Sequence, residues 1–568
     1  MIVLGIGSPF GHDSAAAVLI DGKVIAAVEE ERFSRVKHAP GLGPIEAVRF
    51  CLKQAALRPE DIQHIAYPCR FEAYDENRWP FIQRTWRYQP SRAFKAFYKT
   101  ATAKKKQTAS LHRWLRTSGI DPSKVTIHFV EHHIAHAASA FYFSGAKQAA
   151  ILSMDAAGEV AATLFAEAKN GKITKIKEFY VPDSLGLFYG TMTDYLGFQH
   201  NDGEYKLMGM APYGDPRRFD FSDLVHFDAR QYRVNLQYIW ASRHRRHDPG
   251  KWFSRKMVER LGPPRDGDDL LEPYVHIAAA TQKTLEDVTL ALVETYLSEP
   301  LERSEGHLCF AGGCALNVSL NRRLIEHPRV KQLFVQPAAD DSGTPLGAAA
   351  FVAAQEGDAI EPMRHVYLGP EYTSQEIKTQ LEASGTSYTC HEAIEEVAAE
   401  LLAKGEVVAW FQGAMEFGPR ALGNRSILAN PAKKGIADTV NEMIKYRERW
   451  RPFCPSILPE HAADILGSMH PSPFMTFSFA VNPSWKERIP EVVHVDGTTR
   501  PQIVDPETNA RYYRLLKIFH QKTGLPVLLN TSLNRRGEPM ICSPKDALEM
   551  FYGSGLRYLV MDNFLVTK

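Results

Sequence analysis

The chain has 568 residues, too many for one hydrophobic core, so we expect at least two domains. Its 44% hydrophobic and 23% charged residues are ordinary for a globular protein, and a net charge of +1 gives no global argument for nucleic acid or an anionic membrane. No apolar run approaches the ~18 residues of a membrane span, and seven cysteines without a CxxC pair predict free thiols in a reducing cytoplasm rather than a zinc ribbon.

An internal repeat organises the first half of the chain. Residues 2–31 (IVLGIGSPFGHDSAAAVLIDGKVIAAVEEE) and 151–180 (ILSMDAAGEVAATLFAEAKNGKITKIKEFY) each predict a strand, a turn with Gly and Asp, a second strand, a Gly-Lys hairpin and a third strand. The start turns polar at once and lacks a basic leader, so it predicts a strand and not a signal peptide. Two such halves predict an α/β domain of the duplicated actin/Hsp70/sugar-kinase (ribonuclease-H-like) class, which holds a nucleotide in its cleft.

Two basic stretches interrupt the balance of charge. Residues 84–116 interleave ten Arg and Lys residues with Trp86, Phe94 and Phe97, and residues 242–256 read SRHRRHDPGKWFSRK. We expect solvated helix faces or the rim of a polar pocket, with nucleic-acid binding as the alternative.

A histidine-rich helix is predicted directly after the strand VTIHFV (125–130). In EHHIAH, His132 and His136 stand four apart and share a helix face, while His133 points about 100° away. Asp155 ends the first strand of the second repeat, and Asp341 lies on the turn of FVQPAADDSGTPLG (334–347), where a helix N-cap is the alternative. The two imidazoles and two carboxylates form a mixed set suited to iron, zinc or manganese; the alternative is a chance pair in a packed helix.

The segment CFAGGCALNVSLNRRL (309–324) predicts an adenosine-binding loop. It has an apolar strand end, a Gly312-Gly313 turn and a helix bearing Asn317 and Asn321. Glycines let a ligand approach the backbone closely, and a helix N-terminus favours anions.

A second domain is expected after the polar, Gly- and Pro-bearing stretch around 354–370, giving domains 1–357 and 358–568. Cationic side chains concentrate in 410–431 and 441–460, and a buried strand within 525–540 precedes a hydroxyl- and amide-rich turn. Such a set suits a phosphate-rich ligand, with a salt-bridged surface as the alternative. The candidates are Arg420, Arg425, Lys445, Arg447, Arg449, Arg451, Arg500, Arg511, Asn530, Thr531, Ser532 and Asn534.

Seven blocks, in order, resemble the NodU/CmcH carbamoyltransferases, the group of the nebramycin and other antibiotic O-carbamoyltransferases. They are EEERFSRVKH, EHHIAH, GEYKLMGMAPYG, FAGGCALN, FGPRALGNRSILA, KYRERWRPFCPS and LLNTSLNRRGEP, and they cover essentially the whole chain. The resemblance implies an N-terminal domain similar to the tRNA threonylcarbamoyl-transfer enzymes and a C-terminal YrdC-like domain.

The resemblance also implies an ATP-dependent, two-step reaction. Carbamoyl phosphate gives carbamate, which forms carbamoyladenylate with ATP in the YrdC-like domain, Mg²⁺ being expected with ATP. The N-terminal domain then passes the carbamoyl group to a hydroxyl of a small-molecule acceptor. The alternatives are a tRNA-modifying enzyme and a nucleotide-binding module without turnover, and a homodimer is a further expectation.

Site residues follow from the resemblance by motif. The implied iron ligands are His132, His136, Asp155 and Asp341, and the implied adenylate pocket holds Gly313 and Asn317. The implied phosphate and adenylate contacts are Arg420, Lys445, Arg451, Arg500, Asn530 and Ser532, with Arg425 and Arg447 matching by motif. For the general base that an attacking alcohol needs, the candidate is His12 with Asp13, in the turn of the first repeat.

Overall fold

A computed structural model describes residues 1–8, 10–88, 90–239, 251–267, 269–468 and 470–568. The chain divides into two compact units: 1–25 with 41–362, and 26–40 with 363–568. The segment 26–40, which includes helix α1 (Glu31–Ser34), therefore belongs to the second unit although it interrupts the first in sequence. The domain boundary at 357/358 stays a prediction, while the contacts divide the chain at 362/363.

Two sheets of the same topology lie in the first unit, except that residues 26–29 of β3 are grouped with the second unit. In the first, the order is β3-β2-β1-β4-β5, with β1 antiparallel to β2 and parallel to β4. In the second, β8-β7-β6-β11-β12, β6 is likewise antiparallel to β7 and parallel to β11. This match confirms the predicted duplication and the α/β class. The strands are β1 (Ile2–Gly7), β2 (Ala15–Ile20), β3 (Lys23–Glu29), β4 (His64–Tyr67), β5 (Thr126–Phe129), β6 (Gln148–Met154), β7 (Ala161–Lys169), β8 (Lys172–Tyr180), a separate pair β9 (Val225–Phe227) and β10 (Tyr232–Val234), β11 (His307–Ala311) and β12 (Gln332–Val335).

Helices flank these sheets, and one close packing fixes the histidine helix α7. A Cβ on Gly347 of α13 would lie 1.9 Å from the carbonyl oxygen of Ala135 on α7, so only glycine permits this approach. The run of small residues in α13 is therefore a packing requirement. The helices are α2 (Ile45–Gln54), α3 (Ala73–Glu76), α4 (Arg78–Thr85), α5 (Pro90–Ala96), α6 (Lys99–Thr117), α7 (His132–Phe141), α8 (Leu185–Tyr195), α9 (Glu204–Met210), α10 (Arg255–Leu261), α11 (Tyr274–Arg303), α12 (Val318–Ile325) and α13 (Thr344–Gln355).

The second unit is built on an eight-stranded mixed sheet in the order β13-β22-β21-β14-β15-β20-β16-β19. Strands β15, β20 and β16 are successive antiparallel neighbours near one side of this sheet. The strands are β13 (Thr389–Cys390), β14 (Val408–Phe411), β15 (Arg425–Ala429), β16 (Cys454–Ile457), the pair β17 (Phe479–Ala480) and β18 (Thr498–Thr499), β19 (Gln502–Ile503), β20 (Val527–Ser532), β21 (Tyr558–Met561) and β22 (Phe564–Thr567). The helices are α14 (Ser374–Ala383), α15 (Ile394–Ala403), α16 (Ile436–Val440), α17 (Ala462–Leu466), α18 (Pro483–Lys486), α19 (Ala510–Thr523) and α20 (Pro544–Tyr552).

The basic stretch 84–116 lies on α4 to α6, and its Trp86 and Phe94 are exposed. Of the stretch 242–256, residues 242–250 lie outside the described residues. Within the part of the chain that the structure describes, no helix combines the length and apolar character needed to cross a bilayer.

Candidate active site

Four side chains of the first unit converge as the metal prediction expected: His132, His136, Asp155 and Asp341. The Nε2 atom of His132 lies 3.1 Å from Nε2 of His136, 3.1 Å from Oδ1 of Asp341 and 3.5 Å from Oδ2 of Asp155. Nε2 of His136 lies 3.6 Å from each of the same two carboxylate oxygens. Ligand atoms bound ~2.1 Å from one metal ion stand roughly 3.0–3.4 Å apart at the corners of an octahedron or tetrahedron. The four side chains therefore fit a single divalent cation.

The buried histidine nitrogens support the same interpretation. Both imidazoles are fully buried, and the Nδ1 atom of each has no hydrogen-bond partner. Nε2 of each ring faces the two carboxylates and the other ring. Burial alone would lower the pKa of His132, but the charges of Asp341 and Asp155 outweigh it and hold that pKa well above its usual value. The cluster thus has a strong preference for positive charge, which a proton or a metal ion can satisfy.

His133 is separated from this cluster, as its helical position predicted. Its Nδ1 lies 2.7 Å from Oγ of Ser153, and its Nε2 lies 3.1 Å from the carbonyl oxygen of Ala161. Burial, followed by the neighbouring His132 and His136, lowers the pKa of His133 to about 3. The neutral ring ties α7 to strands β6 and β7.

The candidate metal ligands lie on elements whose ends are fixed by local hydrogen bonds. Asp341 begins a short 3-10 turn (Asp341–Gly343), but the cap of that turn is Asp340, whose side chain accepts from the Ser342 amide. The N-cap alternative therefore applies to Asp340, and Asp341 is left to face the cluster. Asp155 follows β6 and accepts from the Ala156 amide through Oδ1, while Oδ2 faces the histidines.

Glu159 is a buried site residue that sequence reasoning missed. Its carboxylate accepts hydrogen bonds from the amides of Arg70, at 2.6 Å, and His132, at 3.0 Å. It therefore caps the first turn of α7, the turn that carries His132. Burial is the main cause that raises the pKa of Glu159. Its position four residues after Asp155 in the same turn was the available signal.

The predicted adenosine loop borders the cluster through Gly313. A Cβ at this position would lie 2.8 Å from Oδ1 of Asp155, so the loop backbone comes close to the carboxylate. Asn317 caps α12 by accepting from the Leu320 amide, and it exchanges two hydrogen bonds with Gln282. Its adenylate contact stays a prediction, since the described hydrogen bonds of its side chain are internal.

His12 is paired with Asp13 next to it, Nδ1 lying 2.8 Å from Oδ2. Burial lowers the pKa of His12, but the bond to Asp13 and the charges of Asp341 and Asp155 outweigh it and raise the pKa to about 9. His12 is therefore coupled electrostatically to the two carboxylates of the candidate metal site.

Three sequence blocks of the second unit come together because they contribute neighbouring strands. Block 410–431 contains β15, block 525–540 contains β20, and block 441–460 contains β16. Lys445 ends a π-helical turn (Asn441–Lys445), and its Nζ contacts the carbonyl of Ser532 at 2.5 Å and Oδ1 of Asn534 at 2.7 Å. Oγ of Ser532 in turn donates to the same Asn534 oxygen. Burial, reinforced by Arg447 and Arg451, lowers the pKa of Lys445 well below its usual value. Lys445 and Ser532 are thus adjacent, as a shared ligand would require.

Asn530 lies on β20 itself, not after it as expected, because the strand continues to Ser532. It faces Cys454 of β16 in the antiparallel register, and its buried Oδ1 has no hydrogen-bond partner. Arg500 directs Nε and Nη2 at Sγ of Cys454, at 3.1 and 2.8 Å. This contact brings Arg500 beside the strand that carries Asn530; Cys454 lies within the block KYRERWRPFCPS but was not among the predicted site residues.

The other cationic candidates have different environments. Arg425 is fully buried, donates to the carbonyls of Gln412 and Pro370, and lies over the ring of Phe411. This packing favours a structural role for it. Arg447 lies over the ring of Phe453, Arg451 pairs with the buried Glu448 at 3.4 Å, and Arg420 is half-buried.

Family models match both halves of the chain. Residues 2–350 match the carbamoyltransferase N-terminus and residues 399–568 the carbamoyltransferase C-terminus. The chain therefore belongs to the carbamoyltransferase family, and it is a carbamoyltransferase enzyme.

Its relatives span comparable lengths. An uncharacterized protein of Synechocystis sp. is 38% identical, with 100% of this chain and 96% of the relative covered. Nodulation protein NolNO of Sinorhizobium fredii is 36% identical, with 100% of this chain and 80% of the relative covered. The solved structure of HypF from T. kodakarensis is 13% identical over 63% of this chain and 48% of its own, with a TM-score of 0.31, too low to carry an argument.

Proposed function

We propose that the second unit makes carbamoyladenylate from carbamoyl phosphate and ATP, and that the first unit transfers the carbamoyl group to a hydroxyl of a small-molecule acceptor. The observation that carries this proposal is the presence of two chemically different buried sites, one in each unit. The first holds two imidazoles and two carboxylates, and the second holds Lys445 against Ser532 and Asn534. A single-step transferase needs only one such site.

The chemistry divides in the same way. Water first cleaves carbamoyl phosphate to carbamate and inorganic phosphate. Carbamate is a poor electrophile, and joining its oxygen to the α-phosphorus of ATP, with pyrophosphate leaving, makes its carbonyl carbon attackable. Two anionic reactants come together in this step, which requires preorganised cations. Arg420, Lys445, Arg451 and Arg500 are our candidates for these contacts, with Asn530 and Ser532 as polar partners.

In the transfer step the acceptor hydroxyl loses its proton to a base and its oxygen bonds to the carbamoyl carbon. The bond from that carbon to the phosphate oxygen breaks, and AMP leaves. His132, His136, Asp155 and Asp341 would hold a divalent metal, for which we propose Fe²⁺; it would supply Lewis-acid stabilisation of the phosphate leaving group. Gly313 would let that phosphate approach the ligands closely.

The two half-reactions can be separated by substitution. Arg420→Ala and Lys445→Ala should abolish carbamoyl-phosphate-dependent release of pyrophosphate from ATP, and synthetic carbamoyladenylate should restore transfer. Arg557→Ala is the matched control, because Arg557 belongs to the same unit, is not a candidate for the site, is 60% exposed and pairs with Glu406. Failure of the rescue in folded variants would show that the reaction is not divided in this way.

The base role of His12 has a separate test. General-base catalysis typically contributes ~10²–10⁴-fold, so His12→Ala should slow transfer by about that factor and leave adenylate formation unchanged. Because the hydrogen bond to Asp13 raises the pKa of His12, a base role also predicts a transfer rate that rises with pH above neutrality, as the imidazole loses its proton. A rate that falls over this range would instead assign the imidazolium to the phosphate as a cation. Mass spectrometry of candidate alcohols for a carbamoyl mass gain identifies the acceptor.

A further inference from the structure

The block EEERFSRVKH (29–38) lies more than 300 residues before the rest of the second unit in sequence, yet it belongs to that unit. Residues 26–40 form part of the second unit, together with 363–568. Three of its side chains, Glu29, Arg32 and Phe33, contact two loops that carry candidate residues. The reaction scheme above gives this motif no role.

Glu29 and Arg32 together bind both backbone polar groups of Gly418, an arrangement that we call the clamp. Oε1 of Glu29 accepts from the amide of Gly418 at 2.8 Å, and Nη2 of Arg32 donates to the carbonyl of Gly418 at 2.8 Å. The same Nη2 donates to Oε1 of Glu29 at 2.8 Å, which closes the arrangement. Both side chains are buried, with 6% and 4% of their surface exposed, so the clamp is shielded from competing water.

Gly418 lies two residues before Arg420. Glu416, on the other side, accepts from the amides of Leu422 and Asn424, so the backbone of the loop is held on both sides of Arg420. Phe33 packs against a small buried cluster that includes Met415 and Ala421. Residues 29–33 therefore hold the backbone on one side of Arg420, and Glu416 holds it on the other.

Arg35 extends the same support to the loop after β20. It donates to the carbonyl oxygens of Met540 and Pro539, at 2.6 and 2.9 Å. Within this loop, Asn534 binds the carbonyl of Glu538 and accepts from Lys445. One short segment thus supports both loops that bring cations and amides to the second site.

We propose that Glu29 and Arg32 are positioning residues of the anion site in the second unit, setting the backbone from which Arg420 reaches its ligand. This inference rests on the proposed function of that unit. It implies that residues 363–568 alone lack part of their own site.

The test uses the full-length enzyme with Arg32→Ala, Arg32→Lys and Glu29→Gln, and with Val36→Ala as control, since Val36 lies on the same segment and is 47% exposed. Misplacing a catalytic group by about 1 Å can reduce a rate ~10²-fold. Carbamoyl-phosphate-dependent pyrophosphate release should fall by about that factor in Arg32→Ala and by less in Arg32→Lys. Metal content and transfer from supplied carbamoyladenylate should match the wild type.

Hydrogen exchange of the 416–425 backbone supplies a readout that is independent of the reaction. Faster exchange there in Arg32→Lys, with the rest of the second unit unchanged, supports the clamp; unchanged exchange overturns it. Wild-type pyrophosphate release in folded Arg32→Lys and Glu29→Gln also overturns it, as does a parallel loss of metal and transfer. A wild-type enzyme that releases no pyrophosphate refutes the proposed function, while hydrogen exchange still decides the clamp.

Discussion

Substituting Glu159 tests whether the geometry of the metal cluster depends on the cap of α7. The Glu159 carboxylate accepts from the amides of His132 and Arg70, and the same carboxylate lies at the positive end of the helix. Glu159→Ala removes both acceptors and leaves the two amides without them. Glu159→Gln keeps one oxygen that can accept from both amides, removes the charge and replaces the second oxygen by an amide NH2 group.

The size of the effect follows from these contacts. A buried amide left without its acceptor costs about 1–3 kcal/mol, so two such amides predict a loss of about 2–6 kcal/mol for Glu159→Ala. The charge of a carboxylate at a helix N-terminus contributes about 0.3–2 kcal/mol, which is the loss expected for Glu159→Gln. Groups that orient a metal ligand typically affect metal affinity ~10–100-fold.

The assay is the Kd for a divalent metal, measured by calorimetry, together with the melting temperature of the metal-free protein. We expect the weakest metal binding and the lowest melting temperature in Glu159→Ala, intermediate values in Glu159→Gln, and the highest values in the wild type. Glu299→Ala is the control, because Glu299 is 85% exposed. Unchanged metal affinity in folded Glu159→Ala would refute the reasoning, since the cap would then not control His132.

Three further predictions follow from the described contacts. His136→Ala should lose bound metal and carbamoyl transfer while adenylate formation continues, whereas His133→Ala should keep the metal and lose mainly stability; elemental analysis of both variants decides. Because the pKa of His132 is raised, the site without metal holds a proton at neutral pH. Metal binding should therefore release protons, and the affinity for metal should increase as pH rises. Calorimetry in two buffers of different ionisation enthalpy measures the proton release, and identical binding enthalpies in the two buffers would contradict the prediction. Arg425→Lys should destabilise the protein by at least about 3 kcal/mol, because lysine cannot reach the several carbonyl oxygens that the guanidinium binds; an unchanged melting temperature in the absence of ligands would favour a binding role for Arg425 instead.

The sequence predicted the features that depend on short-range pattern. The repeat at 2–31 and 151–180 appeared because strand alternation and turn residues are local signals, and the sheets confirm it. The helical spacing of four correctly separated His133 from His132 and His136. Motif order indicated the carbamoyltransferase family, which the family models confirm.

Tertiary structure decided which distant residues share an environment, because spacing along the chain carries no information about approach in space. It showed that Asp341, which the resemblance had grouped with the histidine pair, lies 3.1 Å from His132, and it assigned the N-cap of that turn to Asp340. The structure also shows that Arg425 is buried among backbone carbonyl groups, although the sequence placed it with Lys445 among the cationic candidates for a phosphate-rich ligand. Only the tertiary structure shows that residues 26–40 belong to the second unit, because Glu29 and Arg32 form buried hydrogen bonds with the backbone of Gly418.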